Sequence, residues 1–300
     1  MKTAVCTIST QSHLFKSRTT LNSVKTFLDV DLFCLLTDTS DHGEKNEVAF
    51  TNLSDLTSEA AKGIIKKYNG DKLRWALKPI YTLFLLEKGY DAVIYVDNDI
   101  YFHSSPNFLF EKLKTSSFLL TPHFYKSNHK KDQNWLEANY RVGLYNAGFF
   151  GVNKSAIPIL DWWAGCCLYN VKKAYWRGLY DDQKYLDLVP VIFDRVEIVK
   201  HRGCNFAGWN SDEVVIEERN NQLHIKGDHL VFIHYAQLSM ERFSNIQSPV
   251  YNYYIDYLET LKKYNPNFEF QVKKRNLLAI STYFYYLRWK LNRLFEKKIT

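Results

Sequence analysis

This sequence predicts an α/β fold built on a mostly parallel, Rossmann-like central sheet, and three observations carry that reading. Apolar runs that read as strands alternate with helical stretches over the first hundred residues, the pattern of successive βαβ units. Two of those runs end on acidic residues, Thr37-Asp38 and Asp97-Asn98-Asp99, where ligands of such sheets collect. Finally, 46% of the 300 residues are apolar and 24% are charged, so the chain closes a sizeable core and is not disordered.

The elements follow in order. Residues 3–8 form a first strand and residues 13–27 a helix, and residues 30–36 form a second strand. Residues 71–88 place Leu73, Leu77, Ile80, Leu83 and Phe84 at spacings of three and four, a helix face. Pro79 falls inside it, which predicts a kink or a late helix start, and Gly89 ends it. Ala92–Val96 is a short strand buried on both faces. Later come a strand at residues 146–152, an aromatic-rich helix at 157–170 and a short helix at 181–188. Residues 214–218 and 222–225 flank Asn220-Asn221, a hairpin signal. Residues 229–234 (HLVFIH) read as one buried strand ending on histidine, and residues 249–264 as a helix.

Composition removes several classes. The 12 Gly and 7 Pro exclude collagen-like and Pro/Gly-rich chains. Five Cys, none in a CxxC, argue against a disulfide framework or a zinc knuckle. No basic stretch leads the opening MKTAVCTIST into a long apolar run, and no run reaches the length of a membrane span; the expectation is a cytoplasmic, reduced protein. The net charge of +7 sits wholly in residues 272–300, where eight Lys and Arg face one acid, Glu296. A body without net charge excludes wrapping nucleic acid. In that tail Leu277, Ile280, Phe284, Leu287, Leu291 and Leu294 make one apolar stripe beside the basic residues. Such a helix suits the surface of an anionic membrane, although it could also pack on the domain with its charges solvated. We therefore divide the chain into a domain at 1–265 and a basic amphipathic tail at 266–300. The aromatic surplus, 16% of residues, suits sugar-stacking pockets and leaves room for a homodimer.

The chemistry centres on Asp97-Asn98-Asp99. Two carboxylates one residue apart, just past a buried strand, can hold a hard divalent cation together with a ligand's phosphates. The bland alternative is an acidic turn. His234 ends another buried strand and could be structural or a third ligand; an imidazole favours manganese over magnesium. Asp181-Asp182-Gln183 could cap a helix or face a polar substrate. Asn146-Ala147-Gly148 pairs an amide with small residues that let a ligand approach. Arg74 and Lys78 lie one helical turn apart and could meet phosphate or solvent.

In sequence order AVCTIST (4–10), RWALKP (74–79), VIYVDNDIYF (93–102), YNAGFFGVN (145–153), YDDQKYLD (180–187) and LVFIHYA (230–236) resemble nucleotide-sugar glycosyltransferases of the GT-A fold, above all the retaining enzymes of glycosyltransferase family 8 and their bacterial relatives. The resemblance covers about residues 3–240. It implies that Thr7 and Ser9 border the nucleotide, Asp38 lies near the uridine or ribose, and Asn98, Arg74 and Lys78 belong to the donor site. It implies Mn2+ (or Mg2+) on Asp97, Asp99 and His234, and a donor sugar facing Asn146, Asp182 and Gln183. The family commonly has a glycine and a lysine soon after the histidine. Here Tyr235 to Arg242 follows, so either Arg242 substitutes or the leaving diphosphate is less well neutralised.

The implied activity is transfer of a hexose from a UDP-sugar donor to a glycan or lipid-linked acceptor in surface polysaccharide or lipopolysaccharide assembly, at the inner face of a membrane. An inverting reaction would need a carboxylate base, for which Asp181 is the nearby residue. Two other readings stand beside it. A sugar-1-phosphate nucleotidyltransferase usually has a Gly-rich loop after the first strand, which VCTISTQSH lacks. A non-catalytic nucleotide-sugar or membrane-binding module would keep the motifs without turnover.

Overall fold

The computed structural model describes residues 1–39, 47–212, 214–220 and 222–270. Met1–Phe268 forms one compact unit, and Glu269–Thr300 is a second unit, of which residues 271–300 lie outside the described residues, with the amphipathic tail expected there.

The strands are β1 (Thr3–Ser9), β2 (Asp31–Leu36), β3 (Val48–Asn52), β4 (Ala92–Val96), β5 (Ile100–Phe102), β6 (Phe118–Pro122), β7 (Tyr145–Asn153), β8 (Val196–Ile198), β9 (Ile216–Arg219), β10 (Gln222–Ile225), β11 (Asp228–His229) and β12 (Phe232–His234). Seven of them form the central sheet in the order β3-β2-β1-β4-β7-β6-β8. The half from β3 to β4 is parallel, as βαβ alternation requires. Beyond β4, β7 pairs antiparallel with both β4 and β6, and β8 returns to parallel pairing. β4 is buried at every residue, which is why its sequence is uninterrupted Ala-Val-Ile-Tyr-Val rather than alternating.

The helices are α1 (Leu14–Lys25), α2 (Glu59–Lys67), α3 (Gly70–Ala76), α4 (Lys78–Glu87), α5 (Asn107–Lys112), α6 (Gln133–Arg141), α7 (Ile157–Tyr169), α8 (Val189–Ile192), α9 (Gln237–Phe243) and α10 (Tyr251–Tyr264). They cover both faces of the sheet. Side chains of β1 alternate between the two cores: Ala4, Cys6 and Ile8 pack with Tyr81 of α4 and Trp163 of α7, while Val5 packs with Leu21 and Val24 of α1, the period of two expected of a strand. The stretch at 71–88 is broken between α3 and α4, with Pro79 in the first turn of α4, where its missing N–H leaves no partner wanting. Gly89 leaves that helix at φ 97°.

Two expectations are revised. Residues 229–234 are not one strand. β11 pairs with β10, whereas β12 crosses to pair with β5, and in between Val231 N–H donates to the carbonyl of Gly203 at 2.9 Å. An apolar run does not reveal such a change of partner. The exchange depends on Gly203, because a Cβ there would lie 1.8 Å from the carbonyl oxygen of His229. The short helix at 181–188 begins later, as a 3-10 turn at Gln183–Leu188, since Asp181 stands at φ 39°, outside helical geometry.

Candidate metal and donor site

The site lies where β1, β4 and β7 meet the β5–β12 ribbon. β4 ends and releases Asp97, whose N–H donates to the carbonyl of Gly148 at 2.7 Å. Three residues on, β5 starts, and its antiparallel register sets His234 opposite Ile100. That pairing brings His234 Nε2 to 3.0 Å from Asp99 Oδ1. One ligand atom from each of Asp97, Asp99 and His234 lies within 4.8 Å of the other two. Two carboxylates and an imidazole suit Mn2+ or Mg2+ with phosphate oxygens completing the shell. The donor set therefore fits the cation implied by the sequence.

Electrostatics match this geometry. Burial opposes charge on His234, but Asp99 outweighs it and raises the imidazole above its ordinary value. Burial likewise opposes ionisation of Asp99, yet His234, with a contribution from Lys16 of α1, holds its carboxyl at about 2.

The strand that carries Asn-Ala-Gly orients these ligands. Asn146 Oδ1 accepts from Gly148 N–H at 2.6 Å, while its Nδ2 lies 3.2 Å from Asn205 Oδ1 and 3.3 Å from His234 Nδ1. His234 is thus fixed from the nitrogen that does not face Asp99, a typical arrangement behind a metal ligand. Gly148 is the closest approach in the site. A Cβ there would meet His234 Cε1 at 2.6 Å and both Asn146 Oδ1 and Asp97 Oδ2 at 2.8 Å.

Behind the ligands Lys78 forms the hub. It is 4% exposed, and its Nζ lies 3.2 Å from Asp97 Oδ1 and 3.4 Å from Asp182 Oδ2, and donates to the carbonyl of Ala147 at 3.2 Å. Burial alone would discharge it, but Asp182, Asp97 and Asp181 keep it charged and raise it above the usual lysine value. One ammonium cannot satisfy three acids. Burial therefore lifts Asp182 to about 7 against the pull of Lys78, with Asp181 and Asp97 adding to the rise. Trp163 Nε1 donates to the Asp182 carbonyl at 2.9 Å, which pins this segment to the core.

The remaining expected residues divide. Ser9 reaches the loop of the two aspartates, its Oγ accepting from Asn98 Nδ2 at 3.3 Å. Asp38 is exposed at the end of β2 and accepts from Gln11 N–H at 2.9 Å, so it also caps the turn after β1. Arg74 pairs with Asp71. Gln183 donates from Nε2 to the Val142 carbonyl at 3.3 Å. Two placements depart from expectation. Thr7 is fully buried and its hydroxyl has no hydrogen-bond partner among the described residues, because it lies inside β1, paired with Cys34 of β2, rather than at the open end. Arg242 is taken up by Asp212 at the wall of a cavity of about 630 Å3 lined also by Ser248 and Val250, not by the metal ligands.

Sequence reading missed Tyr95, whose hydroxyl donates to Asp97 Oδ1 at 2.8 Å, and Asn205, buried at φ 58°. It also missed Trp209, with its ring 5.1 Å from that of His234. Only Asn205 carried a signal, since asparagine tolerates left-handed backbone better than most residues.

No protein-family model matches the chain. It is 25% identical over 246 residues to the uncharacterized protein YfnD of Bacillus subtilis (strain 168), covering 78% of this chain and 77% of that one. The uncharacterized protein YfnF of the same organism is 25% identical over 253 residues, 79% and 82% of the two chains. Among solved structures, the apo bifunctional glycosyltransferase WbbM superposes with a TM-score of 0.51 at 14% identity, over 87% of this chain and 49% of that one. The glycosyltransferase GlyE of Streptococcus pneumoniae TIGR4 superposes with a TM-score of 0.50 at 14% identity, over 88% and 63%. The fold is GT-A. With that fold the ordered motifs have their places: the aspartate pair follows a central strand, Asn-Ala-Gly lies on its antiparallel neighbour, and the histidine arrives from the ribbon.

Proposed function

We propose that this chain is a metal-dependent glycosyltransferase that moves a hexose from a nucleotide diphosphate sugar, UDP-linked, to a glycan or lipid-linked acceptor, with retention of configuration. The observation that carries the proposal is the convergence of Asp97, Asp99 and His234 within 4.8 Å beside buried Asp182 and Lys78. The setting we propose is surface polysaccharide or lipopolysaccharide assembly.

Asp97, Asp99 and His234 would hold Mn2+, or Mg2+, which when bound supplies a Lewis acid for the leaving diphosphate. The chain's own groups do the rest. Lys78 balances Asp97 and Asp182 so that both carboxylates can stand in a buried site without a second cation. Asn146 and Asn205 keep His234 turned toward Asp99. As the anomeric C–O bond breaks, positive charge grows on the sugar, and the Asp182 carboxylate and the Gln183 amide oxygen offer negative potential to it. The acceptor hydroxyl attacks from the face the diphosphate leaves, and its proton passes to the departing phosphate oxygen, which balances the step without a covalent intermediate.

With Arg242 paired to Asp212, we assign neutralisation of the diphosphate to Lys16. It makes no ion pair among the described residues, and its charge acts on both Asp99 and His13. We further propose that residues 266–300 bring the enzyme to the inner face of an anionic membrane; no helix of the described residues is long and apolar enough to cross one. Deleting residues 272–300 should abolish binding to anionic liposomes, and unchanged binding would remove that part of the proposal.

The deciding experiment is calorimetric titration of UDP, with and without Mn2+, into the wild type and an Asp97→Ala/Asp99→Ala variant. Mn2+-dependent binding that the variant loses supports the reading. UDP binding in neither protein would refute it.

A further inference from the structure

The β5–β12 ribbon that delivers Asp99 and His234 is short. Each strand has three residues, and the two pair with each other and join no larger sheet. A two-stranded ribbon of that size does not hold its own geometry in water, so the spacing of the two ligands has to be set from outside. At the outer edge of β12 the His234 N–H donates to the Phe206 carbonyl at 2.9 Å. Bonds of that kind lie in the plane of the ribbon, and its faces are fixed by packing. One face is accounted for, since Phe102 and Phe232 pack into the core that α1 covers. The other face and the open end meet α10, a helix that no step above uses.

Tyr257 of α10 touches both strands. Its ring stacks on that of Tyr235, with centroids 4.0 Å apart and planes 6° from parallel, and it meets Tyr101 of β5 edge-on at 5.6 Å and 65°. Tyr235 follows His234 directly, and its N–H donates to the Asp99 carbonyl at 2.6 Å. Its hydroxyl donates to the Tyr253 carbonyl of α10 at 2.8 Å and lies 3.3 Å from His103 Nε2. The helix therefore grips Tyr235 by ring face and by hydroxyl, and Tyr235 is hydrogen-bonded to one metal ligand and covalently joined to the other. Both tyrosines are buried, at 3% and 1% exposed. Neither belongs to the two cores that flank the sheet, so the stack serves the contact between ribbon and helix.

We propose that Tyr235 and Tyr257 are positioning residues for the metal site: through their stack α10 clamps the ribbon and sets Asp99 and His234 at the spacing a divalent cation needs. The proposal rests on the metal reading above but can fail separately from it.

The test uses the full chain as wild type, Tyr257→Leu, Tyr257→Phe and Tyr254→Leu. Tyr254 is a second buried tyrosine of α10, with its ring 6.3 Å from that of Tyr251 in the same helix, so it carries the same substitution outside the stack. Mn2+-dependent UDP binding is measured by titration calorimetry, and amide hydrogen exchange of residues 232–235 is followed by mass spectrometry in the metal-free chain. Tyr257→Leu should weaken Mn2+-dependent binding about tenfold or more, as expected when the groups that orient metal ligands are lost, and should speed exchange in that segment. Tyr257→Phe keeps the stack and should restore both. Tyr254→Leu should lower Tm by a similar amount and leave binding and exchange at their wild-type values. Binding unchanged in Tyr257→Leu, or weakened equally by Tyr254→Leu, overturns the clamp. Absence of Mn2+-dependent binding in the wild type refutes the metal reading instead, and exchange then decides the clamp alone: faster in Tyr257→Leu upholds it, equal to wild type overturns it.

Discussion

Gly148→Ala is the smallest change that reaches the proposed metal site. It adds one methyl group and removes no ligand. The added Cβ would stand 2.6 Å from His234 Cε1 and 2.8 Å from Asp97 Oδ2 and Asn146 Oδ1. Contacts that short do not persist, so two of the three ligands and the amide that orients one of them must move by several tenths of an ångström. Overpacking of this kind costs about 1–3 kcal/mol, a fall in Tm of about 2–5 °C for a chain of 300 residues. The effect on the site should be larger than stability alone suggests. Shifting the groups that orient metal ligands costs about 10–100-fold in metal affinity, and Mn2+-dependent UDP affinity should fall by that factor. The comparison is Gly151→Ala on the same strand, whose Cβ would meet side-chain atoms of Leu113, Leu119 and Ile94 at 3.2, 3.3 and 3.5 Å; it should lower Tm slightly and leave UDP binding intact. Differential scanning calorimetry and titration calorimetry on both variants decide it. If Gly148→Ala binds UDP with Mn2+ as tightly as wild type, the geometry argued for the site is wrong.

Three further outcomes are expected. Lys78→Met strands buried carboxylates without their cation, so it should cost about 3–5 kcal/mol, and its thermal stability should fall further between pH 5 and 8 as Asp182, already lifted to about 7, is forced to ionise; a flat profile would show that Lys78 does not serve those acids. In the metal-free chain the Asp99–His234 pair contributes most between the ordinary values of 3.8 and 6.5. Its contribution is lost in acid as Asp99 protonates near 2, and in base as pH rises through the raised His234 value; because a bound cation requires neutral imidazole, Mn2+-dependent UDP binding should strengthen from pH 6 to pH 8, as titrations at the two values would show. Lys16→Ala should lower donor turnover about tenfold, by loss of a charge beside the leaving group, with Tm unchanged, whereas Arg242→Ala should leave turnover within about twofold; the reverse order of the two would return the role to Arg242.

Much of this was legible in the chain itself. Period and run length located β1, β2 and β4 of the parallel half but not β3, whose Val-Ala-Phe-Thr-Asn is too short and mixed to stand out, and the break at Pro79 followed from a ring that cannot sit mid-helix. Asp97 and Asp99 stood out as a carboxylate pair just past a buried apolar run, and His234 because it closes another. What stayed hidden depends on contacts distant in sequence. Thr7 was named by the resemblance alone, yet it is fully buried inside β1, paired with Cys34 of β2. Arg242 looked available until Asp212 was seen beside it. Tyr95 is indistinguishable from a core tyrosine in sequence, since its hydroxyl earns meaning only from its reach to Asp97.

The β5–β12 ribbon has a consequence for the order in which the molecule matures. His234 reaches Asp99 only through the pairing of β12 with β5, and β12 belongs to no larger sheet. During synthesis the parallel half of the sheet is complete long before residue 234 leaves the ribosome, so the early chain owns both aspartates but no third ligand. On the proposed metal reading, cation affinity is then a late-acquired property, and a cation that prefers the finished site would draw the last ribbon into place by mass action.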